Sequence, residues 1–155
     1  MAKTPLEVSF GGYSTAGLKS ENQDAFAAYE AKGNEAYYKG IVAVIADGVS
    51  TCERGAEASK VAATTFVKDY YSTPETWTVK ESASRILTSL NSWLYQQGTV
   101  FARNYSEMVT TFSSLIFKSN TAHILHAGDS SIWRYRDGSV ELLTCLLYTS
   151  DAADD

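Results

Sequence analysis

Three short motifs each place an aspartate beside an apolar, strand-like segment. They are Asn22-Gln23-Asp24, Ala46-Asp47-Gly48 and Gly128-Asp129-Ser130. Aspartates at strand ends can converge at one edge of a sheet, and converging carboxylates without a Cys or His cluster suit hard ions such as Mg²⁺ and Mn²⁺. Two such ions close together form a hydrolytic centre for phosphate esters. The pattern predicts such a centre, although each motif alone is a weak signal. Asp47-Gly48 alone is more typical of a turn, an Asx-turn at Asn22 is as typical as a metal ligand, and Gly128-Asp129 is also typical of a loop.

Other reactive residues have a simpler interpretation. Asp137-Gly138 lies between alternating apolar segments and predicts a hairpin turn. His123 and His126 are three apart on a predicted strand, so they point to opposite faces and do not share a metal. Cys52 has no visible base beside it, so we interpret it as a small packing residue.

Composition narrows the class of protein. The chain has 155 residues, a formal net charge of −5 and two cysteines. One domain is expected at this length, the acidic balance argues against a nucleic-acid surface, and the cysteines do not form a disulfide framework. The start has no apolar signal segment, and the longest apolar run, residues 41–46, is too short to span a bilayer. We therefore expect a cytoplasmic domain.

The last eleven residues differ from the rest. The stretch from Cys145 to Asp154 resembles the in-frame translation of a transposase adapter used to make sequencing libraries. We therefore predict that residues 145–155 are read-through and exclude them from the fold. A natural acidic C-terminus is the alternative.

Two long helices are predicted between groups of strands. The first spans about residues 53–70, and the second opens with a capping-box pattern from Thr78 to Glu81. Residues 33–35 predict a turn, and the chain after Gly98 predicts a loop up to about Glu107. This order favours an α+β domain with antiparallel sheets. The predicted strands are 6–10, 24–29, 41–46 (covered on both faces), 111–117, 122–127, 132–135 and 140–143.

Four ordered motifs resemble the metal-dependent protein phosphatases of type 2C, the PPM family. The resemblance implies a four-layer αββα sandwich of antiparallel sheets, with the metals in a cleft at one end. Residues 1–144 would be the N-terminal part of that domain, C-terminally truncated, because the family's two later metal aspartates would lie beyond Thr144. The motifs are Lys19 to Asp24, Val44 to Ser59, Met108 to Phe112 and Leu125 to Gly138.

The resemblance also implies a mechanism and site residues. In the family, a water bridging two Mn²⁺ or Mg²⁺ ions attacks phosphorus directly, without a phosphoenzyme. Asp47 would bridge the metals, the Gly48 carbonyl would bind one of them, and Asp24 would hold metal-bound water. Asp129 would serve a third ion, and Lys19 replaces the family's phosphate-binding arginine with a point charge.

Several positions depart from the family pattern without removing a metal ligand. Residues 49–52 replace Met-Gly-Gly-His, Val109 replaces a glycine, and Ser131 replaces an arginine. These changes keep open an alternative, a non-catalytic module of the same fold that regulates or binds a protein kinase. A generic α+β domain with chance Asp-Gly turns is a further alternative.

The segment from Lys68 to Lys80, with Asn91 to Leu94, is similar to a bacterial subgroup of the family. In that subgroup a Ser/Thr protein kinase domain follows the phosphatase domain, often with a membrane anchor at the far C-terminus. The resemblance therefore implies a phosphorylated protein as substrate and a kinase domain in the full-length protein. It also implies that the fragment itself is inactive.

Overall fold

The computed structural model describes residues 7–100 and 107–144. Six strands and three helices form within these ranges, and every pairing between strands is antiparallel. The predicted α+β class with antiparallel sheets is therefore confirmed. The elements are β1 (Asp24–Tyr29), α1 (Gly33–Lys39), β2 (Ile41–Asp47), α2 (Gly55–Ser72), α3 (Val79–Val100), β3 (Phe112–Lys118), β4 (Thr121–Ala127), β5 (Trp133–Arg136) and β6 (Ser139–Leu142).

The strands form two sheets. The larger sheet has the order β1-β2-β3-β4, and β5 pairs with β6 in a separate two-stranded sheet. The register of the larger sheet sets Asp24 of β1 directly opposite Asp47 of β2. Since β1 begins where β2 ends, both aspartates lie at the same edge of the sheet.

Helix α2 packs on one face of the larger sheet through the stripe that its sequence predicts. Ala58, Ala62, Phe66 and Tyr70 recur at helical spacing, and all four are buried. The alanines let the helix approach closely, and the ring of Phe66 meets the ring of Phe112 in β3 edge to face, with 4.9 Å between centroids. This contact forms the centre of the core.

Helix α3 starts at its predicted cap and completes the core. The hydroxyl of Thr78 accepts a hydrogen bond from the backbone N–H of Glu81 at 3.1 Å. Beyond the cap, buried apolar side chains recur along the face of α3 that packs on α2 and joins the same core cluster. They are Val79, Ala83, Ile86 and Leu90.

The opposite face of the larger sheet is exposed around β1 and the end of β2 within the described residues. Phe26 and Ile45 are register partners on this face, and they are 51% and 43% exposed. The prediction that the strand of residues 41–46 is covered on both faces is therefore wrong at Ile45. Ile41, on the same face as Ile45, is buried, so the strand is covered on both faces at its start and loses that cover at Ile45.

Both predicted hairpins form. Ser119 has a φ of 56° between β3 and β4. Asp137 and Gly138 have φ angles of 52° and 78° between β5 and β6. Positive φ at both central residues is the geometry of a type I′ turn, for which Asp-Gly is a favoured pair. The assignment of Asp137-Gly138 to a hairpin turn is confirmed.

Two local predictions are wrong. Residues 7–10 form no strand, while Leu6 lies outside the described residues. The turn predicted at residues 33–35 is the start of α1. Helix α3 extends to Val100, two residues into the loop predicted after Gly98, and residues 101–106 of that loop lie outside the described residues. A strand needs a hydrogen-bonded partner, and a short helix that begins at a glycine has little sequence signal. The predicted read-through at residues 145–155 also lies outside the described residues.

Among the described residues, none of the helices is both long enough and apolar enough to cross a membrane.

Candidate metal centre

Asp24 and Asp47 form the centre of the candidate site. Asp24 and Asp47 are register partners, and burial, followed by interaction with the Asp24 carboxyl and its charge, raises the pKa of Asp47. The charge of Lys19 opposes this rise, and the charge of Asp129 adds to it. Two adjacent carboxyls can share a proton because two negative charges repel at this distance. The charges of Lys19, Asp24 and Asp129 therefore all act on Asp47, which places the four predicted charged residues in one region.

The side chains of Asp24 and Asp47 carry the type of donor atom that binds a hard divalent ion. Both side chains offer only oxygen donors, and a cation between them would relieve the repulsion between the two carboxylates. The described residues contain no group of three or more His, Cys, Asp or Glu side chains arranged to hold a metal. The pair formed by Asp24 and Asp47 therefore leaves coordination positions for water and for further ligands.

Gly48 follows Asp47 where the chain passes directly against the start of α2. Its N–H donates to the carbonyl oxygen of Gln23 at 2.9 Å. A Cβ at position 48 would lie 2.1 Å from the carbonyl oxygen of Gly55, which real side chains do not tolerate. Glycine is therefore required by close backbone approach. The start of α2 therefore packs directly beneath the end of β2.

Ser59 anchors the same region from inside α2. Its side chain is fully buried, and its hydroxyl donates to the carbonyl oxygen of Gln23 at 2.6 Å. That carbonyl also accepts the N–H of Gly48. Hydrogen bonds from α2 and from the residue after β2 therefore converge on one oxygen, immediately before β1. Gln23 immediately precedes Asp24, and the backbone of Asp24 is therefore fixed against α2.

Two threonines fix the backbone of Asp47 from the side of β3. The N–H of Asp47 donates to the Thr111 hydroxyl at 2.9 Å, and its carbonyl oxygen accepts the Thr111 N–H at 2.8 Å. The Thr110 hydroxyl donates to the same carbonyl at 3.0 Å. Sequence reasoning gave these threonines no role. Both threonines belong to the third motif, Met108 to Phe112, and this was the sequence signal that could have pointed to a role at the site.

The loop after β4 carries Asp129 and joins this network. The hydroxyls of Thr111 and Ser130 share a hydrogen bond of 2.9 Å. Gly128 has a φ of 109°, and a Cβ there would lie 2.7 Å from the Thr111 side chain. Asp129 itself acts on Asp47 through its charge. The structure thus brings Asp24 and Asp47 into contact and sets Asp129 on a neighbouring loop.

Lys19 lies on the loop that precedes β1. Lys19 and Asp24 line the same small cleft. The loop is ordered by Asn22, whose side chain accepts the Asp24 N–H at 3.0 Å and donates to the Ser14 hydroxyl at 2.7 Å. Asn22 therefore forms the Asx-turn that was one of its two interpretations. Its role as a turn does not exclude the neighbouring aspartate from binding a metal.

The remaining candidates do not contribute ligands. Cys52 is buried, as expected of a packing residue. His123 pairs with Ile116 and His126 with Ser113 in the β3–β4 ladder, so the two imidazoles lie on opposite faces as predicted. His126 instead shares a 2.9 Å hydrogen bond between its Nδ1 and the Ser113 hydroxyl.

The fold and site define a class: a sandwich-type α+β domain with an oxygen-donor acidic site at a sheet edge. Comparison with known families matches residues 11–146 to Protein phosphatase 2C. The chain therefore belongs to the protein phosphatase 2C family. No curated protein sequence matched it.

Solved bacterial structures share this fold. PppA of Pseudomonas aeruginosa, described as a key regulatory component of T6SS, is 26% identical with a TM-score of 0.63, covering 85% of this chain and 53% of PppA. The S. agalactiae serine/threonine phosphatase is 25% identical with a TM-score of 0.59, and the match covers 81% of this chain and 50% of that structure.

The Mycobacterium tuberculosis serine/threonine phosphatase PstP/Ppp is 20% identical with a TM-score of 0.64, and it supports the fold alone. The match covers 83% of this chain and 49% of that structure. The chain therefore spans about half the length of the solved structures that it matches.

Proposed function

We propose that the chain is the N-terminal part of a metal-dependent phosphoprotein phosphatase domain that hydrolyses phosphoserine and phosphothreonine. The observation that carries the proposal is the contact between Asp24 and Asp47 at the edge of an antiparallel sheet. Family membership and the likeness to the S. agalactiae serine/threonine phosphatase, at 25% identity, support the same reaction class.

In this proposal Asp47, the Gly48 carbonyl and Asp24 hold two Mn²⁺ or Mg²⁺ ions, and Asp129 serves a third. The ions would supply Lewis acidity and a nucleophile that is available at neutral pH. The chain contributes the spacing of the ligands, because the Asp47 backbone is held by β3 and the Asp24 backbone by α2.

Lys19 is the proposed phosphate-binding residue. It lines the same cleft as Asp24, and its positive charge acts on Asp47. An ammonium group attracts phosphate oxygens as a point charge and lacks the planar fork that orients an arginine-bound phosphate. We therefore propose that Lys19 draws the substrate phosphate to the site and leaves its orientation to other groups.

The substrate is proposed to be a phosphorylated protein, and a protein kinase domain is proposed to follow in the full-length protein. The similarity of residues 68–80 to the bacterial subgroup supports the kinase proposal. A non-catalytic, kinase-binding module remains the competing function, because residues 49–52 depart from the family pattern.

Substitution Asp47→Asn in the full-length protein tests the catalytic proposal. It removes one charge while preserving shape, so Mn²⁺-dependent hydrolysis of a phosphopeptide is expected to fall to background. Stability is expected to be unchanged or higher, because the repulsion between Asp47 and Asp24 is relieved. Phosphate release and thermal unfolding measure the two effects.

Asp137→Asn is the matched control. It makes the same chemical change in the β5–β6 turn, where asparagine also accepts positive φ. Its activity is expected to equal that of the wild type. Retained turnover in Asp47→Asn would exclude Asp47 as an essential ligand. An inactive wild type that still binds phosphopeptide would favour the non-catalytic module.

A further inference from the structure

We propose that Thr111 is a positioning residue that sets the spacing between Asp47 and the loop bearing Asp129. The inference rests on the proposed function, since it concerns the residues proposed to bind metal. Thr111 lies at the start of β3, 64 residues from Asp47 in sequence and 19 from Ser130. It is the residue through which these two distant segments are hydrogen-bonded to each other in the described part of the chain.

The hydroxyl of Thr111 makes both links with one atom. Its Oγ1 accepts the N–H of Asp47 at 2.9 Å and shares a 2.9 Å hydrogen bond with the Ser130 hydroxyl. Ser130 directly follows Asp129 in the chain. A displacement of this oxygen would therefore move the backbone of Asp47 together with Ser130, the neighbour of Asp129.

The methyl group of Thr111 supports the same loop by contact. A Cβ on Gly128 would lie 2.7 Å from both Cβ and Cγ2 of Thr111, so the loop backbone rests on this side chain. Gly128 also has a φ of 109°, which lets the chain turn there without strain. The hydroxyl therefore links the loop to Asp47, and the methyl adds a packing contact to the same loop.

This arrangement separates Thr111 from Thr110. The Thr110 hydroxyl donates to the carbonyls of Asp47 and Thr111, and neither bond reaches the Asp129 loop. A substitution at Thr110 would disturb the strand end at Asp47. A substitution at Thr111 would disturb the distance between Asp47 and Asp129.

The test compares Thr111→Val and Thr111→Ser in the full-length protein, using calorimetric titration with Mn²⁺ alone. Valine preserves shape and removes the hydroxyl, whereas serine retains it. Groups that orient metal ligands typically change affinity by about 10- to 100-fold. We expect Thr111→Val to weaken binding of the Mn²⁺ ion whose binding Asp129→Asn also weakens, by about tenfold or more. We expect Thr111→Ser to retain most of the wild-type affinity for that ion.

Ser130→Ala provides an independent variant that breaks the link from the loop side and keeps the Asp47 bond. Ser130→Ala is expected to weaken the binding only of the Mn²⁺ ion that depends on Asp129. Combined with Thr111→Val, it should add little further loss for that ion, because both remove one connection. If Thr111→Val does not fold, Ser130→Ala still decides the question.

Wild-type Mn²⁺ affinity in both Thr111→Val and Ser130→Ala would overturn the inference. Equal losses in Thr111→Val and Thr111→Ser would also overturn it, since the hydroxyl would then have no special role. A wild-type protein that binds no Mn²⁺ and hydrolyses no phosphopeptide would instead refute the proposed function. The two failures are therefore distinguishable.

Discussion

Asp47 presents its carboxyl at the edge of the sheet while its backbone N–H and C=O are both occupied by β3. Asp24 lies opposite, with its own N–H bonded to the Asn22 side chain. Fixed backbones leave each side chain few ways to move, and ligand groups held in this way lose little freedom on binding an ion. The site is therefore organised by backbone contacts around the aspartates.

At the residue scale, Gly48→Ala is expected to destabilise the protein. The new Cβ would lie 2.1 Å from the Gly55 carbonyl oxygen, so either the end of β2 or the start of α2 must shift. Overpacking of this kind costs about 1–3 kcal/mol. Urea unfolding measures the loss. Gly11→Ala is the matched control, because the added Cβ would have no neighbour within 4 Å. Equal stabilities of the two variants would contradict the account.

The sequence predicted which aspartates lie at strand ends, but not the hydroxyls that fix them. Asp24 and Asp47 could be paired because each borders a recognisable strand. Thr111 and Ser59 act on residues 64 and 36 positions away, through a register and a helix position that no local pattern specifies. Only the assembled fold brings those partners together.

At the element scale, α1 is fastened to α2 by its final residue. The Lys39 side chain is only 3% exposed, and its ammonium donates to the Thr73 hydroxyl at 2.6 Å and to the Pro74 carbonyl at 2.7 Å. The Tyr70 hydroxyl in turn donates to the Lys39 carbonyl at 2.9 Å. A buried charge is tolerated here because hydrogen bonds replace its water.

Tyr70 is expected to make stability pH-dependent in alkaline solution. Burial raises the pKa of Tyr70 from 10.0 to about 12. The unfolded chain therefore loses this proton first, so the stabilisation is complete below pH 10 and is lost as pH rises through about 12. Tyr70→Phe should lower stability at neutral pH by about 1–3 kcal/mol, because the Lys39 carbonyl loses its donor. It should also reduce the alkaline loss, to which Tyr71 still contributes because burial raises its pKa as well.

Urea unfolding from pH 9 to pH 12 checks this prediction. Tyr95→Phe is the control, since Tyr95 lies exposed on α3. Burial, followed by repulsion from Lys118, lowers the pKa of Lys39, which makes stability rise with pH below its ordinary value of 10.5. The contribution of Lys39 to the pH dependence is common to the wild type, Tyr70→Phe and Tyr95→Phe. A Tyr70→Phe profile parallel to the wild type would contradict the assignment to Tyr70.

Long elements were predictable from periodicity, and short ones were not. Helix α2 begins two residues after its predicted start, and the hairpins follow their turn residues. Helix α1 has seven residues, and its Lys32 N-cap makes no side-chain hydrogen bond, so the sequence carries no start signal. Residues 7–10 have strand-like alternation, but alternation cannot supply the partner that a strand needs.

At the scale of the whole molecule, the larger sheet is covered on one face and open on the other. Phe26 and Ile45 are exposed on the open face, and β5–β6 pairs only with itself in the described residues. Exposed apolar faces of this kind favour association and lower stability. The solved structures that the chain resembles are about twice as long.

We therefore expect the 155-residue chain alone to be poorly stable and inactive. Its described residues contain no metal-holding group of three or more His, Cys, Asp or Glu side chains, and its open sheet face has no cover among them. Dye binding to exposed apolar surface and Mn²⁺-dependent phosphate release check the two halves of this prediction. The full-length protein, prepared in parallel, is expected to be folded and active.

The most direct measurement of the central claim is phosphate release from a phosphoserine peptide by that full-length protein, before and after chelation of divalent ions. The account predicts turnover with Mn²⁺, none after chelation, and recovery when Mn²⁺ is restored. Turnover that persists in chelator would contradict metal dependence, and a folded protein without turnover under any divalent ion would contradict the phosphatase assignment.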